Sequence, residues 1–488
     1  MRSIKALCCL LGAIFLLAAG CMKMGPDFKK PDLKLAQPEK FQYRPRKATV
    51  VVPEDRWWEV FGDPEINGLV EKVLKNNPDL QLAAARILEL QYQVIQTRAD
   101  RFPSLGLQAG ARRQHEPESA FGPGVPIGGT VSQYGFSLPA SYEMDLWGKY
   151  ARAVESSRAQ LLQEEENRLT LSQGLVSEAI SLFLQIQSLE RRIQITLQSL
   201  QNYRESVGFV ERRYNRGLTS ILDLRQARRT LNQAKGNLPQ LRQELGASQQ
   251  ALAVLMGEYP KTRKPYPQPE DYYKKLKPVP PGLPSELLLR RPDIRAAEAQ
   301  LKSLNAQIGV AKASRFPSIS LTGSYGYSSE ELFNLFTPGA AWSLAAALAQ
   351  PLFDAGRLKA NQRAAEARYT QGVAAYRKSV LDAFREVENA LLTRKKQIER
   401  REDVLSFVVE ARATQRVAQS RYMRGLVDYL TVLNAQQTRF QAEDQLLLVE
   451  LTILANRVTL HRALGGGWAA LPPVKGKETE GMASYTIW

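Results

Sequence analysis

Two stretches of the chain alternate apolar and polar residues with a period of two, and each gives way to a far longer stretch with helical spacing. In the first, Leu105, Leu107, Ala109 and Ala111 alternate with Ser104, Gly106, Gln108 and Gly110. Beyond a Gly/Pro-rich loop, Tyr134, Phe136, Leu138, Ala140, Tyr142, Met144 and Leu146 alternate with polar or small residues. Successive side chains of a strand point to opposite faces, so these runs predict a β-hairpin over residues 104–147 with one apolar face. Ile319, Leu321, Tyr325 and Tyr327, then Trp342, Leu344, Ala346, Leu348 and Leu352, predict a second hairpin over 318–353. Its other face carries Ser320, Thr322, Ser324 and Gly326. Aromatic-rich alternating strands suit a membrane interface.

Helical composition precedes each hairpin, over 63–100 and 285–314, with Asn77-Pro78 and Arg291-Pro292 marking helix starts where proline is tolerated. After the hairpins, residues 140–238 and 352–471 contain no proline, runs of 99 and 120 residues. Within the second, Tyr369, Val373, Tyr376, Val380, Ala383, Val387 and Ala390 alternate steps of four and three, and Ile398, Leu405 and Val408 resume the register. A period of 3.5 belongs to a coiled coil. Gly217 and Gly425 punctuate these runs, each 69 residues after the glycine that ends its hairpin and 40 before Gly257 and Gly465 respectively. At about 1.5 Å per residue, those arms span about 100 and 60 Å, and the helix over 285–314 about 45 Å. Two shorter helices laid end to end therefore match one long helix.

The chain is a duplication. Arg101-Phe102-Pro103-Ser104 recurs as Arg315-Phe316-Pro317-Ser318, and Pro78-Asp79-Leu80 as Pro292-Asp293-Ile294, at an offset of 214. Gly148 pairs with Gly356, Arg213-Tyr214 with Arg421-Tyr422, Arg216-Gly217-Leu218 with Arg424-Gly425-Leu426, and Gly257 with Gly465 at 208. Such a repeat sets the fold before local detail does. Repeat 1 covers 63–257, with a long helix over 149–212, a tip turn over 213–220 and a return helix. Repeat 2 covers 285–465, with a long helix over 357–420 and a tip turn over 421–428. Between them, residues 258–284 hold eight prolines and form a linker or irregular side domain. A polar tail, 466–488, follows.

The expected class is an α+β membrane protein, a cylinder of antiparallel helices with a four-stranded membrane element at one end. Four strands cannot close a barrel, and open edges are not tolerated in lipid, so the chain must oligomerise. Three copies would supply twelve strands and a lumen lined by the small polar face, although strand physics alone does not fix the number three.

The chain has 488 residues, a formal charge of +17, three cysteines and two histidines. Only residues 4–20 approach a continuous apolar span, which excludes a polytopic helical membrane protein. His115 and His461 stand far apart and Cys8 and Cys9 fall inside that span, so metal-ligand spacing is absent. No catalytic residue, metal or cofactor is expected, and the run Glu164, Glu165 and Glu166 reads as a solvated helix face. Lys and Arg are scattered among Glu and Gln without interleaved aromatics, which argues against a nucleic-acid partner. Seven scattered methionines do not argue for copper or silver export. Arg2 and Lys5, the apolar run to Leu17 and Ala18-Ala19-Gly20 make residues 1–20 a secretory signal. The small residues before Cys21 resemble the bacterial lipoprotein cleavage box, which makes Cys21 a lipidated N-terminus heading segment 21–62. Met22 in place of aspartate resembles lipoproteins sorted to the outer membrane. An acyl chain contributes about 0.8 kcal/mol per buried methylene. That covalent lipid is the one non-protein group expected.

Several blocks fall in a fixed order along the duplication: Gly25-Pro26-Asp27-Phe28, Trp57-Trp58, Tyr142-Glu143-Met144-Asp145-Leu146-Trp147-Gly148, Arg290-Arg291-Pro292-Asp293-Ile294-Arg295, Gln350-Pro351-Leu352-Phe353 and Leu464-Gly465-Gly466-Gly467-Trp468. They resemble the TolC/OprM-like outer-membrane factors, particularly the NodT-type efflux lipoproteins. The resemblance implies a homotrimer with a 12-stranded outer-membrane β-barrel, a long periplasmic α-helical barrel and an equatorial domain near the linker and tail. It implies a passive exit duct for small toxic compounds, lipid-anchored in the outer membrane with a large periplasmic part. Such ducts meet an inner-membrane pump, usually of the resistance-nodulation-division type, through a periplasmic adaptor. A duct for type I polypeptide secretion shares the architecture, and a structural periplasmic coiled-coil lipoprotein is the distant alternative.

The same resemblance assigns adaptor docking to the tips, Arg213, Tyr214, Arg216, Gly217 and Leu218 with Arg421, Tyr422, Arg424, Gly425 and Leu426. It gives Asp223 and Tyr422 as an inter-helix hydrogen bond of a periplasmic gate. Val427, Thr431 and Asn434 depart from the charged residues of the TolC pattern, which puts a salt-bridged closure in doubt.

Overall fold

A computed structural model describes residues 23–33, 35, 41–43, 56–116, 129–261, 290–337, 339–466 and 474. The signal segment, Cys21, most of the proline-rich linker and nearly all of the tail lie outside the described residues.

Helices α1 (Pro64–Asn76) and α2 (Pro78–Ala99) each start at a proline whose missing N–H needs no partner, behind the side-chain caps of Asp63 and Asn77. Strands β1 (Ser104–Leu105), β2 (Gln108–Glu116) and β3 (Gly129–Glu143) lead into α3 (Lys149–Asn215) and α4 (Ile221–Leu255). The second repeat gives α5 (Pro292–Ala313), β4 (Ser318–Ser329), β5 (Ala341–Ala349), α6 (Arg357–Met423) and α7 (Tyr429–Ala463). Both long helices have 67 residues and both return helices 35, the equal arms that the glycine spacing predicts. The long helices run three residues beyond the expected ends at 212 and 420, because the tip glycines close them by a tight cap described below.

The sheet is antiparallel in the order β2-β3-β4-β5, with β1 continuing β2 along β3. Its register sets Phe136 opposite Tyr327, Leu138 opposite Tyr325 and Tyr142 opposite Leu321, with Trp342 on the other side of Tyr325. One face is therefore apolar. Ser320, Thr322, Ser324 and Gly326 stand opposite Glu143, Ser141, Pro139 and Ser137 on the other face. Where alternation predicts one first strand, two segments form. Gly106 N–H donates to the Pro139 carbonyl at 2.8 Å, but Pro139 has no N–H to return and the ladder lapses there. Edges β2 and β5 run in opposite directions and neither has a strand on its outer side among the described residues.

The helices form a corrugated layer. Nearer the sheet, α2 packs on α3, α3 on α5 and α5 on α6; farther away, α4 packs on α3, α3 on α7 and α7 on α6. Since α3 and α6 run away from the sheet and the others toward it, direction alternates across the layer in both halves. The short helices meet end to end. Asn77 Nδ2 donates to the Leu255 carbonyl at 2.9 Å, and Arg291 Nη1 to the Ala463 carbonyl at 2.9 Å. The largest core lies beside the first joint, with Trp57, Trp58, Ile66, Val70 and Val73 packed on Val176, Ile180 and Phe183 of α3 and Leu252 of α4.

Of the residues at which the α6 seam is expected to resume, Val408 is buried on it and Ile398 packs half-buried beside Val404, but Leu405 falls off it. The seam's four-and-three steps continue unbroken from Ala390 through Arg394, Gln397 and Arg401 to the buried Val404, Val408, Ala411, Gln415, Ala418 and Tyr422, and Leu405 is exposed. Polar residues at three seam positions hide the register; Arg401 is held there by Glu450 of α7 at 2.7 Å.

Residues 23–33 lie as a strap across α3, α5 and α6. Met24 N–H donates to the Trp147 carbonyl, and Arg152, only 2% exposed, donates to the Met24 carbonyl and to Asp27. Asn305 holds the Pro26 carbonyl at 2.8 Å and Lys30 pairs with Glu298 at 3.0 Å. Lys23 packs against Gly148, where the sheet passes into α3.

Candidate functional site

Both tips are built alike. Gly217, with φ +70°, donates to the Tyr214 carbonyl at 2.8 Å and Leu218 N–H to the Arg213 carbonyl at 2.9 Å. Gly425, with φ +77°, and Leu426 repeat these bonds to Tyr422 and Arg421. This pair of bonds is the Schellman cap, which needs a left-handed residue and uses glycine for it. The return helices then start on reciprocal chemistry. In α4, Ser220 Oγ accepts from Asp223 N–H at 3.2 Å and Asp223 accepts from Ser220 N–H at 3.3 Å, a capping box. In α7 the acid comes first, and Asp428 accepts from the Thr431 N–H at 2.9 Å. The Thr431 that breaks the acidic pattern of the resemblance is thus a cap partner. The Thr431 hydroxyl, bonded to Asp428, holds that carboxyl below its usual range.

The expected hydrogen bond between Asp223 and Tyr422 is not formed. The Asp223 carboxylate is taken by Thr219 Oγ1 at 2.6 Å and by its own cap, and Tyr422 Oη has no hydrogen-bond partner among the described residues. Tyr422 is joined to the other tip by its ring instead. It lies edge-on to Phe209 of α3 with centroids 6.0 Å apart, 5.5 Å from Tyr429, and under the Arg213 guanidinium at 5.3 Å. Burial pushes the Tyr429 phenol up to about 12.

The duplicated tips therefore diverge in use. Tyr422 is 7% exposed where its counterpart Tyr214 is 39% exposed, and Arg213 covers a ring where Arg421 faces solvent. Leu218 and Leu426 stand exposed at the two ends, with Arg216 and Arg424 beside them. Phe209 and Tyr429 were not singled out by the sequence; continuing the unbroken α6 seam to Tyr422 would have pointed to its neighbours. Cys21 lies outside the described residues, two places before Lys23.

The sequence profile of the outer membrane efflux protein family matches residues 69–258 and 283–466, the two repeats. The probable outer membrane lipoprotein SilC of Salmonella typhimurium is 32% identical over 470 residues, covering 94% of this chain and 98% of its own. The solvent efflux pump outer membrane protein SrpC of Pseudomonas putida is 34% identical over 463 residues, covering 93% and 97%. Among solved structures, the outer-membrane channel OprN superposes with a TM-score of 0.84 at 31% identity, over 91% of this chain and 99% of that one. The duplication, the sheet with helix layer and the paired tips agree with these matches: the chain belongs to the outer membrane efflux protein family, and its place is the cell outer membrane.

Proposed function

We propose that the protein is the outer-membrane exit duct of a tripartite efflux system, passively passing small toxic compounds that an inner-membrane pump of the resistance-nodulation-division type delivers through a periplasmic adaptor. The observation that carries this reading is the pair of open edges. β2 and β5 run in opposite directions, and so do the outer helices, with α2 and α4 on one side and α6 on the other. A neighbour's β2 can therefore extend the sheet from β5 without breaking the antiparallel order, while its α4 continues the alternation beside α6. Head-to-tail contacts of this kind close into rings when the rotation from copy to copy closes. Three copies give a twelve-stranded barrel with a lumen, lined by Ser320, Thr322 and Ser324, and a helical tunnel of about 100 Å.

In this reading lipid on Cys21 adds to the anchoring, as the lipoprotein name of SilC supports, and the strap sets the anchor beside the sheet. Arg213, Tyr214, Arg216, Gly217 and Leu218, with Arg421, Tyr422, Arg424, Gly425 and Leu426, form the adaptor-docking ends, and the exposed Leu218 and Leu426 seat in the adaptor. The contact of Arg213 and Phe209 with Tyr422 and Tyr429 holds the two tips together at rest, in the role that an Asp223 bond would otherwise have.

The test is dye and antibiotic accumulation in a deletion strain complemented with the intact gene or with Leu218→Glu/Leu426→Glu, alongside the protein profile of the medium. Accumulation corrected by the intact gene alone supports efflux with docking at the tips. Unchanged accumulation with a missing secreted protein would move the duct to type I polypeptide export.

A further inference from the structure

Close to the tips, α3 and α6 stand on either side of α7 and leave a groove of about 940 Å³. Its charge is one-sided: Arg212, Arg412, Arg416 and Arg439 line it against Glu205. Glu443 pairs with Arg412 at 2.7 Å and Arg439 at 3.0 Å, whereas Arg212 and Arg416 make no ion pair among the described residues. Phe209, Val432 and the Tyr422 ring supply an apolar surface in the same groove. Three buried side chains on its wall also hold an unpartnered polar atom, Tyr429 Oη (Tyr429 is 3% exposed) and one on each of Tyr422 and Gln436, whose Nε2 donates to Ser206 at 3.2 Å. Tyr422 and Gln436 are each 7% exposed, and Tyr422 Oη and Gln436 Oε1 have no hydrogen-bond partner among the described residues. Buried polar groups are normally satisfied, so these atoms, beside the unpaired guanidinium groups, are bonding capacity that the fold itself does not use.

We propose that this groove binds organic anions that join a carboxylate or sulfonate to an aromatic body. Arg212 and Arg416 take the anion through charge-assisted, forked hydrogen bonds. The aromatic body lies against Phe209 and Tyr422, which stack on rings at centroid separations of about 5–7 Å. The Tyr422 hydroxyl donates to the bound anion, and Gln436 Oε1 accepts from a ligand hydroxyl or amine. The site goes beyond the duct reading, which requires only open edges and docking tips.

The test is calorimetry on the full-length protein in lipid nanodiscs, with naphthalene-2-sulfonate as probe, 2-naphthylmethylammonium as the cation of like size, and empty nanodiscs as blank. The expected result is one sulfonate per chain, weakened by added salt, with no binding of the cation. Arg416 is exposed and Tyr422→Phe keeps the ring, so neither variant threatens folding. Arg416→Gln should weaken binding by about tenfold and Tyr422→Phe by about threefold. Equal binding of both ions, no sulfonate binding at all, or unchanged affinity in both variants overturns the proposal. Binding is read without transport, so failure of the duct reading in the accumulation assay leaves this result standing, and the reverse holds.

Discussion

Arg291 reaches from the start of α5 to the Ala463 carbonyl at the end of α7, while its Nη2 holds Asp293 at 2.7 Å and Glu386 at 2.9 Å. Asn77, at the equivalent position of the first repeat, makes the same joint to Leu255 with a neutral amide. Removing the buried guanidinium leaves two carboxylates without their cation. Arg291→Ala should cost about 3 kcal/mol, the low end for a broken buried pair because both carboxylates are partly exposed. Asn77→Ala loses a cap and one hydrogen bond, about 1–2 kcal/mol. Thermal unfolding in detergent should rank the variants in that order.

His461 lies flat on Trp57, ring centroids 4.9 Å apart and planes 14° apart, and burial, then the charge of Arg457, lowers its pKa to about 3. The folded protein keeps this imidazole neutral while the unfolded chain protonates it below about 6.5. Stability from this group is thus complete above that pH and is lost as pH falls toward 3, by up to about 1.4 kcal/mol per unit. Wild type should lose melting temperature between pH 6.5 and 4.5 more steeply than His461→Phe, which keeps the stack and cannot titrate. Parallel curves would count against it.

At the strap, a Cβ on Gly309 would stand 2.7 Å from the Met24 carbonyl and 2.8 Å from the Arg152 stem. Gly309→Val should lift residues 23–33 off the helices at a cost of about 1–3 kcal/mol, as overpacking does. Limited trypsin digestion should then cut after Lys29 faster than in the wild type, where the backbone of the strap is held down; Lys30 precedes Pro31 and resists trypsin in both.

Asp223 serves its own helix start. Ser220→Ala and Asp223→Ala should each cost about 1 kcal/mol and speed amide exchange over the first turn of α4. Single-channel conductance of the reconstituted protein should stay at the wild-type level in both and rise in Tyr422→Ala. A rise in Asp223→Ala alone would return the gate to the carboxylate.

The elements with a period were legible. Alternation gave both hairpin faces, and the register places Leu138 beside Tyr325 and Ser324 opposite Pro139 as the two-face reading requires. Glycine spacing gave the arms and the tips. Features without a period were hidden. Nothing in the pattern announces that Arg152 is buried under the strap, that Arg394, Gln397 and Arg401 continue an apolar seam, or that Pro239 stands inside α4. The tip chemistry was half visible: duplication marked Tyr214 and Tyr422 alike, and only packing separates the exposed tyrosine from the buried one.

The unlike edges β2 and β5 have a genetic consequence. In the proposed assembly, a copy with β5 spoiled and β2 sound still occupies a neighbour's β5 and then offers nothing on which the next copy can build. In a cell that carries both alleles it withdraws sound copies along with itself. Recessive loss is the signature of variants that never reach the membrane, and damage confined to one edge is inherited as dominant.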